Sequence, residues 1–169
     1  IGVVNQTTML ASDTQAIADF LKKIILEKYP QEEAVADTRD TLCYATNDNQ
    51  SAVIELLNTP ADLAIVMGGK NSSNSSHLVE LCEQKLPTYF IDDANKIIDQ
   101  HQIIKSNWKD KSEQIVQDYL PSKNSVTILM TSGASCPDTV VESVIRKIAG
   151  YYNVEEALED VIQFWQGPN

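Results

Sequence analysis

Residues Leu63-Ala64-Ile65-Val66-Met67 are apolar without interruption and stop at Gly68-Gly69. A strand with one wet face alternates apolar and polar side chains. An unbroken run this short is the pattern of a strand buried on both faces, as in a parallel sheet covered by helices. Parallel neighbours need crossover connections, so this segment points to an α/β fold with a parallel sheet and flanking helices.

The rest of the chain alternates in the required way. Ser12-Asp13-Thr14-Gln15 has the form of a capping box, followed by Ile17, Phe20, Leu21, Ile24 and Ile25 at helical spacing up to Pro30. Asn47 to Gln50 repeats the capping pattern ahead of Val53, Leu56 and Leu57. A polar loop, Lys70 to Ser76, leads to a short helix with Leu78, Leu81 and Cys82 on one face. Thr88 to Ile91 and Val126 to Met130 read as further strands, and Ile1 to Val4 as a strand already under way. Between them Trp108, Ile115 and Tyr119 suggest a helix lying on the sheet. Pro137 suits a first helical position; Val141, Val144, Ile145 and Ile148 form the stripe behind it and Gly150 closes it. Asn153 to Glu156 caps a last helix with Leu158, Val161, Ile162 and Trp165.

Composition removes several function classes. The 169 residues carry a formal net charge of −11, whose field opposes binding to the phosphate backbone of nucleic acid. No apolar run approaches the roughly 20 residues that span a bilayer. Three cysteines are an odd number and make no closed disulfide framework, which favours a reducing compartment.

In parallel α/β sheets ligands bind beyond the carboxyl ends of the strands. Three expected strands end there in the same way: Asn5-Gln6-Thr7-Thr8, Gly68 to Ser76, and Thr131-Ser132-Gly133-Ala134-Ser135 are small, hydroxylated or amidated, and each leads into a helix. A helix start presents unpaired N–H groups and about half a positive charge, and hydroxyls and amides add donors. Such loops form an anion site without a lysine, and two on neighbouring strands grip a phosphate or diphosphate from two sides. The same residues also serve simply as helix caps. The pattern is neither a Walker loop nor a dinucleotide fingerprint. The net charge is compatible with an anionic ligand, because exposed charge is screened over ~8–10 Å while donors act in contact.

Cys43 falls at an expected strand-to-helix turn on that same edge, where a thiol pKa is depressed and the thiolate is favoured as metal ligand or nucleophile. Cys82 shares an apolar face and reads as core. Cys136 stands beside Ser135, but nothing requires its sulfur. One placed cysteine does not hold an iron–sulfur cluster or a structural zinc by itself. His77 faces an anion or solvent, and His101 carries no signal.

Gln6-Thr7-Thr8-Met9, Cys43-Tyr44-Ala45-Thr46, Lys70-Asn71-Ser72-Ser73-Asn74-Ser75 and Thr131-Ser132-Gly133-Ala134-Ser135-Cys136-Pro137-Asp138 stand in an order and spacing that resemble the LytB/IspH family, the 4-hydroxy-3-methylbut-2-enyl diphosphate reductases of the non-mevalonate isoprenoid pathway. The resemblance covers nearly the whole chain but only the family's carboxy-terminal half. It implies a trefoil of three α/β domains around a [4Fe-4S] cluster. Residues 1–38 would end the second domain, 39–150 would form the third, and 151–169 a C-terminal helix and tail. Cys43 matches one of three cluster cysteines. Ser72, Asn74 and Ser135, with Ser73 beside them, match residues that bind the diphosphate. Thr7 matches a catalytic threonine near the substrate hydroxyl, and Thr46 one lining the pocket.

The resemblance further implies ferredoxin or flavodoxin as electron donor, and a bacterial cytoplasm or plastid stroma as location. The other cluster cysteines, the clamping histidines and the catalytic glutamate of the family have no match here. The expectation is therefore a fragment of an oxidoreductase, inactive alone, whose partner is the missing amino-terminal half. The alternatives are a stand-alone phosphate- or diphosphate-binding α/β module without a cluster, and a structural domain that meets partners through its acidic surface.

Overall fold

The computed structural model describes residues 6–30 and 44–166. The expected strand Ile1–Val4 and the turn at Cys43 lie outside the described residues. The chain divides into two compact units between Thr59 and Pro60.

The first unit holds α1 (Ala11–Lys28) and α2 (Tyr44–Leu56). The capping box expected at Ser12 does not form. Helix α1 already begins at Ala11, with Leu10 in the cap position and no side-chain cap. The missing acceptor comes from α2: Gln50 Oε1 accepts from Ala11 N at 3.1 Å, and Gln50 Nε2 donates to Met9 O at 2.9 Å. Gln50 is accordingly buried and lies inside α2, which starts before the expected cap at Asn47. Of the apolar stripe on α1, Ile25 is buried while Ile17, Phe20 and Ile24 stay exposed.

The second unit is an α/β layer. Strands β1 (Leu63–Met67), β2 (Thr88–Ile91) and β5 (Ile128–Ser132) form a parallel sheet in the order β2-β1-β5. Central β1 is buried at all five positions, as its unbroken apolar run requires. Leu63, Ile65 and Met67 on one face pack with Val144 and Ile148 of α4 (Asp138–Tyr151). Ala64 and Val66 point the other way, and α3 (Ser73–Glu83), packed on β1 and β2, buries Leu78, Val79 and Cys82. A last helix, α5 (Glu155–Gln166), packs on α4.

Three details depart from the sequence reading. Residues 95–121 contain no helix on the sheet. After one 3-10 turn (Ala94–Lys96), β3 (Gln102–Ser106) and β4 (Glu113–Gln117) pair as an antiparallel hairpin. Turn chemistry decides this: Asn107 Oδ1 accepts from Lys109 N, Asp110 Oδ1 accepts from Ser112 N, and Lys111 takes a left-handed φ of 63°. Ile115, counted toward the helical stripe, is exposed, whereas Tyr119 joins the core. Strand β5 extends to Ser132, because Thr131 and Ser132 pair with Val66 and Met67. Pro137 is the cap of α4 rather than its first residue, and the helix runs past Gly150; the left-handed position falls at Asn153, φ 52°.

Candidate anion site

The carboxyl ends of the three parallel strands are laced together. Gly68 N donates to Ile91 O at 3.0 Å and Gly133 N to Met67 O at 2.9 Å. The segments after β1 and β5 therefore start side by side. Both are tight: Ser72 N donates to Gly69 O at 2.9 Å, and Cys136 N to Gly133 O at 2.8 Å. Ser135 sits exposed within the second turn.

Ser72 caps α3, its hydroxyl oxygen accepting from Ser75 N at 3.2 Å. Ser73 is exposed, while Asn74, Ser75 and Ser76 are buried. Both polar atoms of the Asn74 carboxamide and the hydroxyls of Ser75 and Ser76 lack any hydrogen-bond partner. Leaving buried donors and acceptors unpaired costs about 1–3 kcal/mol each, so four such atoms in one helical turn give the start of α3 unmet hydrogen-bonding capacity. At this helix start the free N–H groups favour an anion. Ser75 was not singled out by sequence reasoning. It is wedged between Gly68 and Gly133, where a Cβ on either glycine would come 2.2 Å from its hydroxyl oxygen. No linear motif signals that meeting of distant residues.

Lysine contributes little in this state. The Lys70 ammonium is paired with Glu113 of β4, which also accepts from Lys96 Nζ at 2.6 Å. The hydrogen bonds from Lys70 and Lys96 hold the Glu113 carboxyl below its usual range. His77 Nδ1 lies 3.5 Å from Glu80 Oε2, and His101 Nδ1 3.4 Å from Asp118 on the hairpin.

In the first unit, Thr7 is exposed in a turn closed by Met9 N donating to Gln6 O at 3.1 Å. Thr46 is buried in α2, one helical turn before Gln50, which holds that same turn through Met9 O. Thr7 and Thr46 thus belong to one local scaffold, and Ser72, Ser73, Asn74 and Ser135 to another. Cys43 lies outside the described residues.

The described residues do not fit a [4Fe-4S] cluster. Among them no group of three or more His, Cys, Asp or Glu could hold a metal ion. Cys82 is fully buried, and burial, with the charge of Glu83 second, pushes its thiol up to about 11; it is a protonated core residue. Cys136 packs against the core, and burial raises its thiol too. Nor is any helix among the described residues long and apolar enough to cross a membrane.

The model of the LytB protein family matches residues 1–149. The chain belongs to the LytB family. Among curated LytB relatives, 4-hydroxy-3-methylbut-2-enyl diphosphate reductase of Microcystis aeruginosa is 39% identical over 158 residues, covering 89% of this chain and 38% of that protein. The reductase of the same name from a Synechococcus species is 40% identical over 153 residues, with 88% and 37% covered. The chain thus spans under two-fifths of the length of these two relatives. The structure of E-1-hydroxy-2-methyl-but-2-enyl-4-diphosphate reductase from Plasmodium falciparum aligns with a TM-score of 0.56 at 24% identity, covering 88% of this chain and 38% of that one, and supports the α/β fold.

Proposed function

We propose that this chain is the diphosphate-binding part of a reductase that removes the hydroxyl of 4-hydroxy-3-methylbut-2-enyl diphosphate. The whole enzyme would use two electrons and two protons and release water, giving isopentenyl and dimethylallyl diphosphates. The observation that carries this reading is the set of buried, unpartnered Asn74, Ser75 and Ser76 side chains at the start of α3, beside the Gly133 to Cys136 turn, in a member of the LytB family.

In this reading Ser72, Ser73, Asn74 and Ser135 donate to the diphosphate. Thr46 lines the pocket and Thr7 orients a proton path to the leaving hydroxyl. Neutral donors fixed by a helix start suit an anion that must be held without being protonated. Residues 1–38, 39–150 and 151–169 are the end of the enzyme's second α/β domain, its third α/β domain, and a C-terminal helix and tail. Cys43 is one ligand of a [4Fe-4S] cluster whose other ligands come from the amino-terminal portion of the enzyme. Electrons come from ferredoxin or flavodoxin, in a bacterial cytoplasm or plastid stroma.

Calorimetric titration of the chain with inorganic pyrophosphate tests the anion site, with binding expected and loss of binding in Asn74→Ala. Absence of binding overturns it. Co-expression with the amino-terminal half of a LytB relative tests the cluster role: iron and reductase activity are expected, both lost in Cys43→Ser. Pyrophosphate binding with no iron under any such condition would instead identify a stand-alone diphosphate-binding module.

A further inference from the structure

Lys70 occupies the second position of the Gly69–Ser72 turn, two residues before Ser72, the helix cap of α3. Its ammonium is not idle: it and the Lys96 ammonium meet the same oxygen, Oε1, of Glu113. Two like charges share one carboxylate oxygen and repel each other. Asp92 and Asp93 also lie near enough to act on Lys96. The three side chains are 23–32% exposed, a setting in which ion pairs are weak and exchange readily. If Lys70 left, Glu113 would keep Lys96 and remain neutralised. A diphosphate at the α3 start, carrying more than one negative charge, would offer Lys70 a stronger partner on the end of a flexible four-carbon stem.

We propose that Lys70 is a further anion-binding residue of this site, held by Glu113 in the free protein and transferred to the bound diphosphate while Lys96 retains the carboxylate. The proposal rests on the diphosphate reading above and adds to it a ligand-driven exchange of ion-pair partners.

Calorimetric titration of the full 169-residue chain with inorganic pyrophosphate reads this directly. Lys70→Met should weaken binding on the order of tenfold, the loss of one charge-assisted contact, and Lys70→Arg should retain it. Glu113→Gln should tighten binding severalfold by releasing Lys70. That gain should vanish in the Lys70→Met background, which separates partner exchange from a general change in field. Lys96→Met should weaken binding, since Glu113 would then hold Lys70 alone. Exposed pairs add little to stability, so the variants should melt like the parent.

Unchanged affinity in Lys70→Met overturns the assignment while leaving the anion site intact. Weakening in Glu113→Gln comparable to that in Lys70→Met shows a fixed strut and overturns the exchange. Failure of the unmodified chain to bind pyrophosphate overturns both this proposal and the diphosphate reading.

Discussion

A Cβ placed on Gly68 would stand 2.2 Å from the Ser75 hydroxyl oxygen and 2.9 Å from the Ser75 Cβ. From Gly133 the corresponding distances are 2.2 and 3.3 Å. Both glycines are therefore required by contact with one buried serine, and the two contacts differ in kind. Overpacking costs about 1–3 kcal/mol, and Gly68→Ala should be the worse of the two. Adding Ser75→Ala should restore much of the stability of Gly133→Ala but less of Gly68→Ala, because the close Cβ remains. Urea denaturation of the four variants checks the order.

Ser72 carries two separable tasks. Its oxygen accepts from Ser75 N, while its hydroxyl proton is free for a ligand. Ser72→Ala should lose about 1 kcal/mol of stability with the cap, and pyrophosphate affinity with the donor. Ser72→Asp should keep the cap and the melting temperature yet repel the anion. Thermal melts and titrations on the same pair of variants separate the roles; recovery of pyrophosphate binding in Ser72→Asp would refute the donor role.

Tyr119 is buried against Tyr89 in an edge-to-face pair, centroids 5.7 Å apart, with its hydroxyl unpartnered. Tyr119→Phe should be neutral or stabilising, since it removes an unsatisfied buried group. Tyr119→Leu should cost about 0.5–1.5 kcal/mol beyond the lost area by removing the aromatic pair. Chemical denaturation distinguishes these outcomes.

Alkaline stability should follow the core thiol. Cys82 titrates near 9.0 when unfolded and near 11 when folded, because burial disfavours the thiolate. Between those values the native state holds the proton that the unfolded state has released, so stability falls as pH rises. The contribution is complete below pH 9 and lost through about pH 11. Tyr89, Tyr119, Tyr151 and Tyr152, raised by burial first, add losses in the same direction from about pH 10. Cys82→Ala should be less stable at pH 8 but flatter between pH 9 and 10. Urea midpoints across that range test the slope.

The α/β class was legible because the run Leu63–Met67 has one reading once the following glycines end it. The polar loops were legible as strand-to-helix connections: Ser72 caps α3 and the Gly133–Cys136 turn leads into α4, as small polar residues in those places require. The hairpin was not: Trp108, Ile115 and Tyr119 suit a helix by spacing alone, and the short polar turns at Asn107 and Asp110 outweigh that pattern. The cap on α1 was also hidden, since Gln50 stands 39 residues from the helix start that it completes. Ser75 was hidden for the same reason. Its significance lies in two glycines brought together by strand pairing, a relationship that no local motif records.

Parallel pairing of β1 with β5 has a kinetic consequence. Asp62 accepts from Thr127 N across a separation of 65 residues, at the point where the two strands begin to run together. Closing so long a loop is among the slower steps open to a small domain, because the entropy of closure precedes the contacts that reward it. The two turns that flank the candidate anion site come together only when that step is complete. A diphosphate ligand would then bind the last structure to form, slowing its opening and lengthening the lifetime of the folded unit.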